Sequence, residues 1–135
     1  MDIFLSINNR EQVIKLPVVP PQFRISTGMK NQVYETISQG EIKLIGLPAL
    51  SGVAMESFFP VKDYSFVRDR TYSGWEYVEI IEAWKARRIP IRIIITETPI
   101  NMAVSIERFD YGIQDGSGDV YYTLELSEFK FVKLG

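Results

Sequence analysis

The sequence contains no cysteine and no histidine among its 135 residues. Without cysteine there is no disulfide, no thiolate nucleophile and no zinc–thiolate site, and the redox compartment is left open. Without histidine, Ser-His-Asp and Cys-His nucleophilic systems and histidine-held metals are excluded. Acid–base chemistry would have to run on carboxylates, lysine or tyrosine. An excess of one charge is also lacking. The chain has 15 Lys and Arg against 17 Asp and Glu, interspersed, for a net charge of −2. The clustered basic face that marks nucleic-acid binding is missing, so no specific nucleic-acid partner is expected. No apolar run approaches the roughly 18 residues that cross a bilayer, and no membrane partner is expected. The start, MDIFLSINNREQ, has neither a basic n-region nor a small-residue cleavage site. A chain without a signal peptide, made in a cytosol, is the expectation.

What is present is a rich supply of strand. Hydrophobic residues make up 46% of the chain, enough for one domain over residues 1–135 to bury a core without cross-links. IFLSINN reads as a short strand ending in an Asn-Asn turn. VIKLPVVPPQF carries Pro17, Pro20 and Pro21, which cannot donate to a ladder, and reads as an extended connector or an edge. QFRIS alternates as a strand. QVYETI and EIKLIG form a hairpin about Ser38-Gln39-Gly40, and VAMESFF is a further strand ended by Pro60.

One helix stands out. Ser73 and Glu76 fit the S-x-x-E capping box. Tyr77, Ile80, Ile81, Trp84 and Arg88 follow the spacing of a single helical face. Glutamates come early and basic residues late, matching the helix dipole. Pro90 ends it, which predicts a helix over about 74–87. IPIRIIIT follows as a central strand. In NMAVSIERFDYGI the apolar residues change phase between Ile106 and Phe109, and in VYYTLELSEFKFVKL between Leu126 and Phe129. A change of phase flips the buried face and implies bulges, or a long hairpin that leaves one sheet for another.

Motifs with chemical readings have plainer ones beside them. QDGSGD is followed by a strand rather than a helix, and lacks the ligand spacing and final Glu of an EF loop, so it reads as a hairpin turn. Glu107, Asp110, Glu125 and Glu128 could supply a carboxylate pair for hydrolysis, yet Glu125 alternates with apolar neighbours, as on a solvated sheet face. Trp75, Tyr77 and Trp84 could form a stacking platform for glycan or peptide, but Tyr77 and Trp84 fit the buried stripe of the helix. The run FFPVKDYSFVRDRTY combines Phe58, Phe59, Tyr64, Phe66 and Tyr72 with Arg68 and Arg70. Aromatics with arginine are what protein interfaces enrich; the alternative is a loop tucking its rings into its own core.

Three stretches carry a resemblance: LPALSGVAMESFFP, WEYVEIIEAWKARRIPIRIIITETPINMAVSIERFDY and GSGDVYYTLELSEFKFVKL. They resemble the LysM-containing baseplate protein of Gram-positive contractile tails, found in myophages, defective prophage particles and R-type bacteriocins. TPINM and GDVYYTLELSEF are the most specific parts. The resemblance implies an α+β, mainly β fold, a tail-tube-like β-sandwich or small barrel with one flanking α-helix. It implies a structural, non-enzymatic part of the baseplate in a virion or tail-like particle, assembled in the bacterial host cytoplasm. Its partners would be copies of itself in a six-fold ring, the tail tube protein, and hub, spike and wedge proteins, with no cofactor and no metal. On that reading the contacts would be Phe58, Phe59, Tyr64, Phe66, Arg68, Arg70 and Tyr72, together with the hairpin tip from Asp115 to Asp119. Family members usually continue into a linker and a LysM domain after a stretch like FKFVKL, so no role carried by LysM is transferred from the resemblance. The alternatives are a monomeric glycan- or peptide-binding module using Trp75, and a carboxylate-dependent hydrolase.

Overall fold

A computed structural model describes residues 1–131. Nine strands and one helix follow in the order β1 Ile3–Ile7, β2 Gln12–Lys15, β3 Gln22–Ser26, β4 Gln32–Thr36, β5 Gly40–Leu44, β6 Gly52–Phe59, α1 Gly74–Arg87, β7 Ile91–Ile95, β8 Asn101–Ile113 and β9 Val120–Glu128. Among the described residues seven strands form one antiparallel sheet, β2-β1-β7-β8-β9-β6-β3, and β4 pairs only with β5. The fold is therefore α+β and mainly β.

The sheet cannot be flat. Only the six residues 16–21 link β2 to β3, the two edge strands. Six extended residues span at most roughly 20 Å, whereas edges six spacings apart in a flat sheet stand roughly 29 Å apart. The helix makes the same point. Trp84 Nε1 donates to Gln12 Oε1 on β2 at 2.9 Å, while Tyr77 stacks on Phe59 of β6 at 4.9 Å. The sheet thus curls around α1 into an open barrel, and the proline-bearing strap closes the gap. Pro17 and Pro20 are buried, and the Pro17 carbonyl accepts from the Arg68 N–H at 2.7 Å. The strap is the extended connector expected from its prolines, and β2 is the expected edge.

Alternate residues fill the barrel. Ile3, Leu5 and Ile7 of β1, Ile91, Ile93 and Ile95 of β7, and Val120, Tyr122, Leu124 and Leu126 of β9 meet Tyr77, Val78, Ile81 and Trp84 of α1 in one cluster. The helix has the predicted bounds. The Glu76 carboxylate accepts from the Ser73 N–H at 3.3 Å and the Ser73 hydroxyl at 3.1 Å. The helix ends on Arg88, left-handed at φ 58 and exposed, so Arg88 leaves the buried face where spacing put it and Val78 joins that face instead. Gly74 is required at the helix start, because a Cβ there would lie 2.4 Å from Val61 Cγ1 at a φ of +29. Burial pushes the Tyr77 hydroxyl up to about 12 and the Tyr122 hydroxyl up as well; among the described residues neither makes a hydrogen bond of normal geometry.

The phase change in β8 is a bulge: pairing with β9 slips between Ile106 and Arg108. That in the last strand has another cause, since β9 ends at Glu128 before Phe129 and Phe131. The final residues of the stretch FKFVKL, 132–134, lie outside the described residues.

Candidate interface

The loop between β6 and α1 and the β8–β9 turn meet at one carboxylate. Asp119 is 2% exposed. Its Oδ1 accepts the Val61 N–H at 2.9 Å and its Oδ2 the Tyr64 hydroxyl at 2.7 Å. That hydrogen bond holds the Tyr64 phenol above its usual pKa. Asp115 organises the turn, taking the Ser117 N–H at 3.0 Å and the Tyr121 hydroxyl at 2.9 Å. The Ser117 bonds hold its carboxyl below the usual range, and the bond to Asp115 raises the Tyr121 phenol.

Pinned this way, the loop builds an aromatic cluster on the outer face of the sheet. Tyr64 and Phe66 stack at 5.1 Å, Phe58 meets both edge-on at 6.2 Å, and Tyr121 lies 5.4 Å from Phe58. Phe66 is exposed. Beside the cluster lies a groove of about 510 Å³ lined by Phe58 and Tyr121 together with Glu56 and Asp110. Arg70 pairs with Asp63 and donates to the Tyr64 carbonyl at 3.0 Å, while Arg68 pairs with Asp2 at 3.1 Å.

Two of the expected contact residues do not reach the surface. Phe59 points into the barrel, fully buried between Tyr77 and Tyr122, because it lies in the inward phase of β6. Asp119 is buried as the anchor just described. Tyr72 is half-buried, edge-on to Tyr77 at 5.5 Å. Phe58, Tyr64, Phe66, Arg68 and Arg70 come together on one side, with Asp115 at the exposed tip nearby.

The residues of the other readings have structural partners. Trp75 lies edge-on to Tyr111 at 6.0 Å. Glu107 accepts from the Ser105 hydroxyl at 2.6 Å, Asp110 pairs with Arg108 at 2.7 Å, Glu128 accepts the Ser51 N–H at 3.0 Å, and Glu125 stands opposite Arg108 in the ladder.

The largest candidate surface was not singled out in the sequence. β3 and β6 pair as a hairpin, and residues 27–50 between them continue it away from the body as an arm tipped by β4 and β5. Nine of the seventeen exposed large hydrophobics among the described residues fall between Ile25 and Leu50. Ile37 at the tip is wholly exposed, and Ile45 and Leu47 are 80% and 78% exposed. The arm is tightly built at its base: a Cβ on Gly46 would lie 1.8 Å from the Lys30 carbonyl oxygen. A two-stranded hairpin is marginal alone in water, and exposed apolar surface of this extent marks an interaction site.

No protein-family model matches the chain. It is 33% identical over 126 residues to the uncharacterized protein YqbP of Bacillus subtilis, covering 92% of this chain. It spans 58% of that relative's length. Among solved structures, a chain in the tail of the empty gene transfer agent particle, which has C6 symmetry, aligns over 100% of this chain and 95% of its own. The TM-score is 0.58 at 18% identity. A chain of the native gene transfer agent virion covers 96% and 92%, with TM-score 0.55 at 15% identity. A chain of the six-fold symmetrised anti-feeding prophage baseplate covers 96% and 88%, with TM-score 0.53 at 12% identity. The fold is one found in chains of phage-tail-like particles.

Proposed function

We propose that this chain is a structural component of a contractile tail or related injection particle, a baseplate ring protein joining the central hub and spike to the tail tube. The observation that carries this reading is the whole-chain fold match to components of six-fold particles, joined to an arm that leaves its apolar residues uncovered. Six copies around an axis would bury those arms and give the free edge of β3 a neighbour. The mechanism is assembly and force transmission, without chemistry. The particle's hub, tube and wedge proteins are its partners, and its place is the baseplate, assembled in the bacterial cytoplasm. The Phe58, Tyr64, Phe66 cluster with Arg68 and Arg70, and the tip at Asp115, form a second contact face. Held in place by Asp119, this face is organised before binding, which lowers the ordering cost of association.

The test is co-expression with neighbouring tail proteins and native mass analysis of the complex. Six copies with a hub or tube partner are expected. Phe66→Ala should weaken the complex while leaving the monomer folded; it is a cleaner probe than Arg68→Ala, which also releases Asp2. A monomer that ignores every tail partner and instead binds cell-wall glycan would replace this reading with the binding module.

A further inference from the structure

The body of the same chain carries a groove whose chemistry complements that of the arm. From residue 27 to the turn at 37–39 the chain spans at most roughly 35 Å at strand rise. That is about one diameter of a body this size, whose radius of gyration is roughly 14 Å. The arm therefore reaches well beyond its own body. Near its tip, Glu35 and Glu41 are directly cross-strand on one face, a like-charge pairing that destabilises a hairpin. Among the described residues neither carboxylate is in an ion pair. Ile37 stands beyond them with its side chain in solvent.

At the end of the body where α1 terminates there is a second groove of about 510 Å³. Its lining includes Ile89, Ile94 and Ala103, and among the described residues Arg10 and Arg92 are the charged ones. Both arginines are exposed. Glu11 nearby is engaged by Arg87 at 2.7 Å, and Arg92 donates to Asn101 Oδ1 at 2.8 Å; among the described residues neither Arg10 nor Arg92 is in an ion pair. An exposed isoleucine with two carboxylates outside any ion pair thus answers a groove whose lining combines isoleucines with two arginines.

We infer that the arm of one copy docks in the Arg10–Arg92 groove of the next, with Ile37 against its isoleucines and Glu35 and Glu41 against the arginines. The contact is heterologous: each copy gives its arm to one neighbour and its groove to another. Repetition of such a contact closes into a ring where the rotation closes and otherwise continues as a filament. The inference rests on the ring reading above and names the surfaces that would join its copies.

Because the chain has no cysteine, introduced cysteines report the contact without background. The complex is assembled from chains carrying Ile37→Cys and Ile94→Cys together, oxidised, and run without reductant. A ladder of cross-linked copies is expected, absent from either single variant, and reduced at least tenfold by Arg10→Glu with Arg92→Glu. Adding Glu35→Lys and Glu41→Lys to those reversals should restore it, while circular dichroism confirms that each variant is folded. A six-copy mass without the ladder would overturn the arm–groove contact and leave the ring standing. Cross-links formed by Ile37→Cys alone, arm against arm, would also overturn it. Absence of both oligomer and ladder would overturn contact and ring reading together.

Discussion

Replacing Asp119 by alanine should cost this small domain a large part of its stability and release the aromatic loop first. The buried carboxylate accepts two hydrogen bonds, from the Val61 N–H at 2.9 Å and the Tyr64 hydroxyl at 2.7 Å. Bonds to a charged acceptor contribute about 1.5–3 kcal/mol each. Tyr64 and the Val61 side chain are partly open to solvent, so water recovers some of that loss, and the expected cost is about 2–4 kcal/mol. Against a typical stability of about 5–15 kcal/mol this is a large share, and it should lower Tm by roughly 10 °C. Asp119→Asn keeps one carbonyl acceptor and should cost about 1 kcal/mol. Urea unfolding gives the magnitude, and limited trypsinolysis gives the location, because Lys62, Arg68 and Arg70 lie in the loop. Cleavage after these residues should accelerate in Asp119→Ala before the barrel unfolds. Unchanged stability together with unchanged cleavage in the loop would refute the anchoring role.

Three further outcomes follow from the packing. Trp84→Ala should destabilise by about 3–5 kcal/mol in urea melts, since it removes a 1%-exposed indole and its bond to Gln12. Tyr77 has its folded-state hydroxyl raised from 10.0 to about 12, so its contribution is present below pH 10 and lost as pH rises towards about 12. This loss amounts to roughly 3 kcal/mol. Tyr77→Phe should be neutral or slightly stabilising at pH 7, since among the described residues the hydroxyl has no partner of normal hydrogen-bond geometry, and should flatten the fall in Tm above pH 10; an unchanged alkaline profile would contradict it. Gly46→Ala should distort the arm base by about 1–3 kcal/mol, as overpacking does. Faster amide exchange across residues 30–46, with the barrel's protection unchanged, is the expected signature.

What was legible in the sequence was local. The capping box, the charge order and Pro90 placed α1 at its observed bounds, and the β-branched run placed β7 inside the sheet. Period-2 slippage announced the β8 bulge, and QDGSGD the turn that closes β8 on β9. Pairings across long separations were not legible. β3 and β6 join over an intervening arm, and nothing in QFRIS or VAMESFF names its partner. The arm escaped notice for a physical reason: its strands carry Val33 on one face and Tyr34, Ile42 and Leu44 on the other, which reads as core. Apolar residues on both faces of a two-stranded hairpin were the signal that could have found it. Phe59 was placed with its aromatic neighbours because composition does not give phase. Counting alternation forward from Met55 turns it inward, where it stacks on Tyr77 and Tyr122.

The proposed function has this chain closing into a six-membered ring within a tail-like particle. The most direct measurement is native mass spectrometry of the full chain co-purified with its neighbouring tail proteins, followed by two-dimensional class averages of the same complex. Six copies in a closed ring bound to a hub or tube partner are predicted. A chain that stays monomeric with every tail partner present would contradict the account.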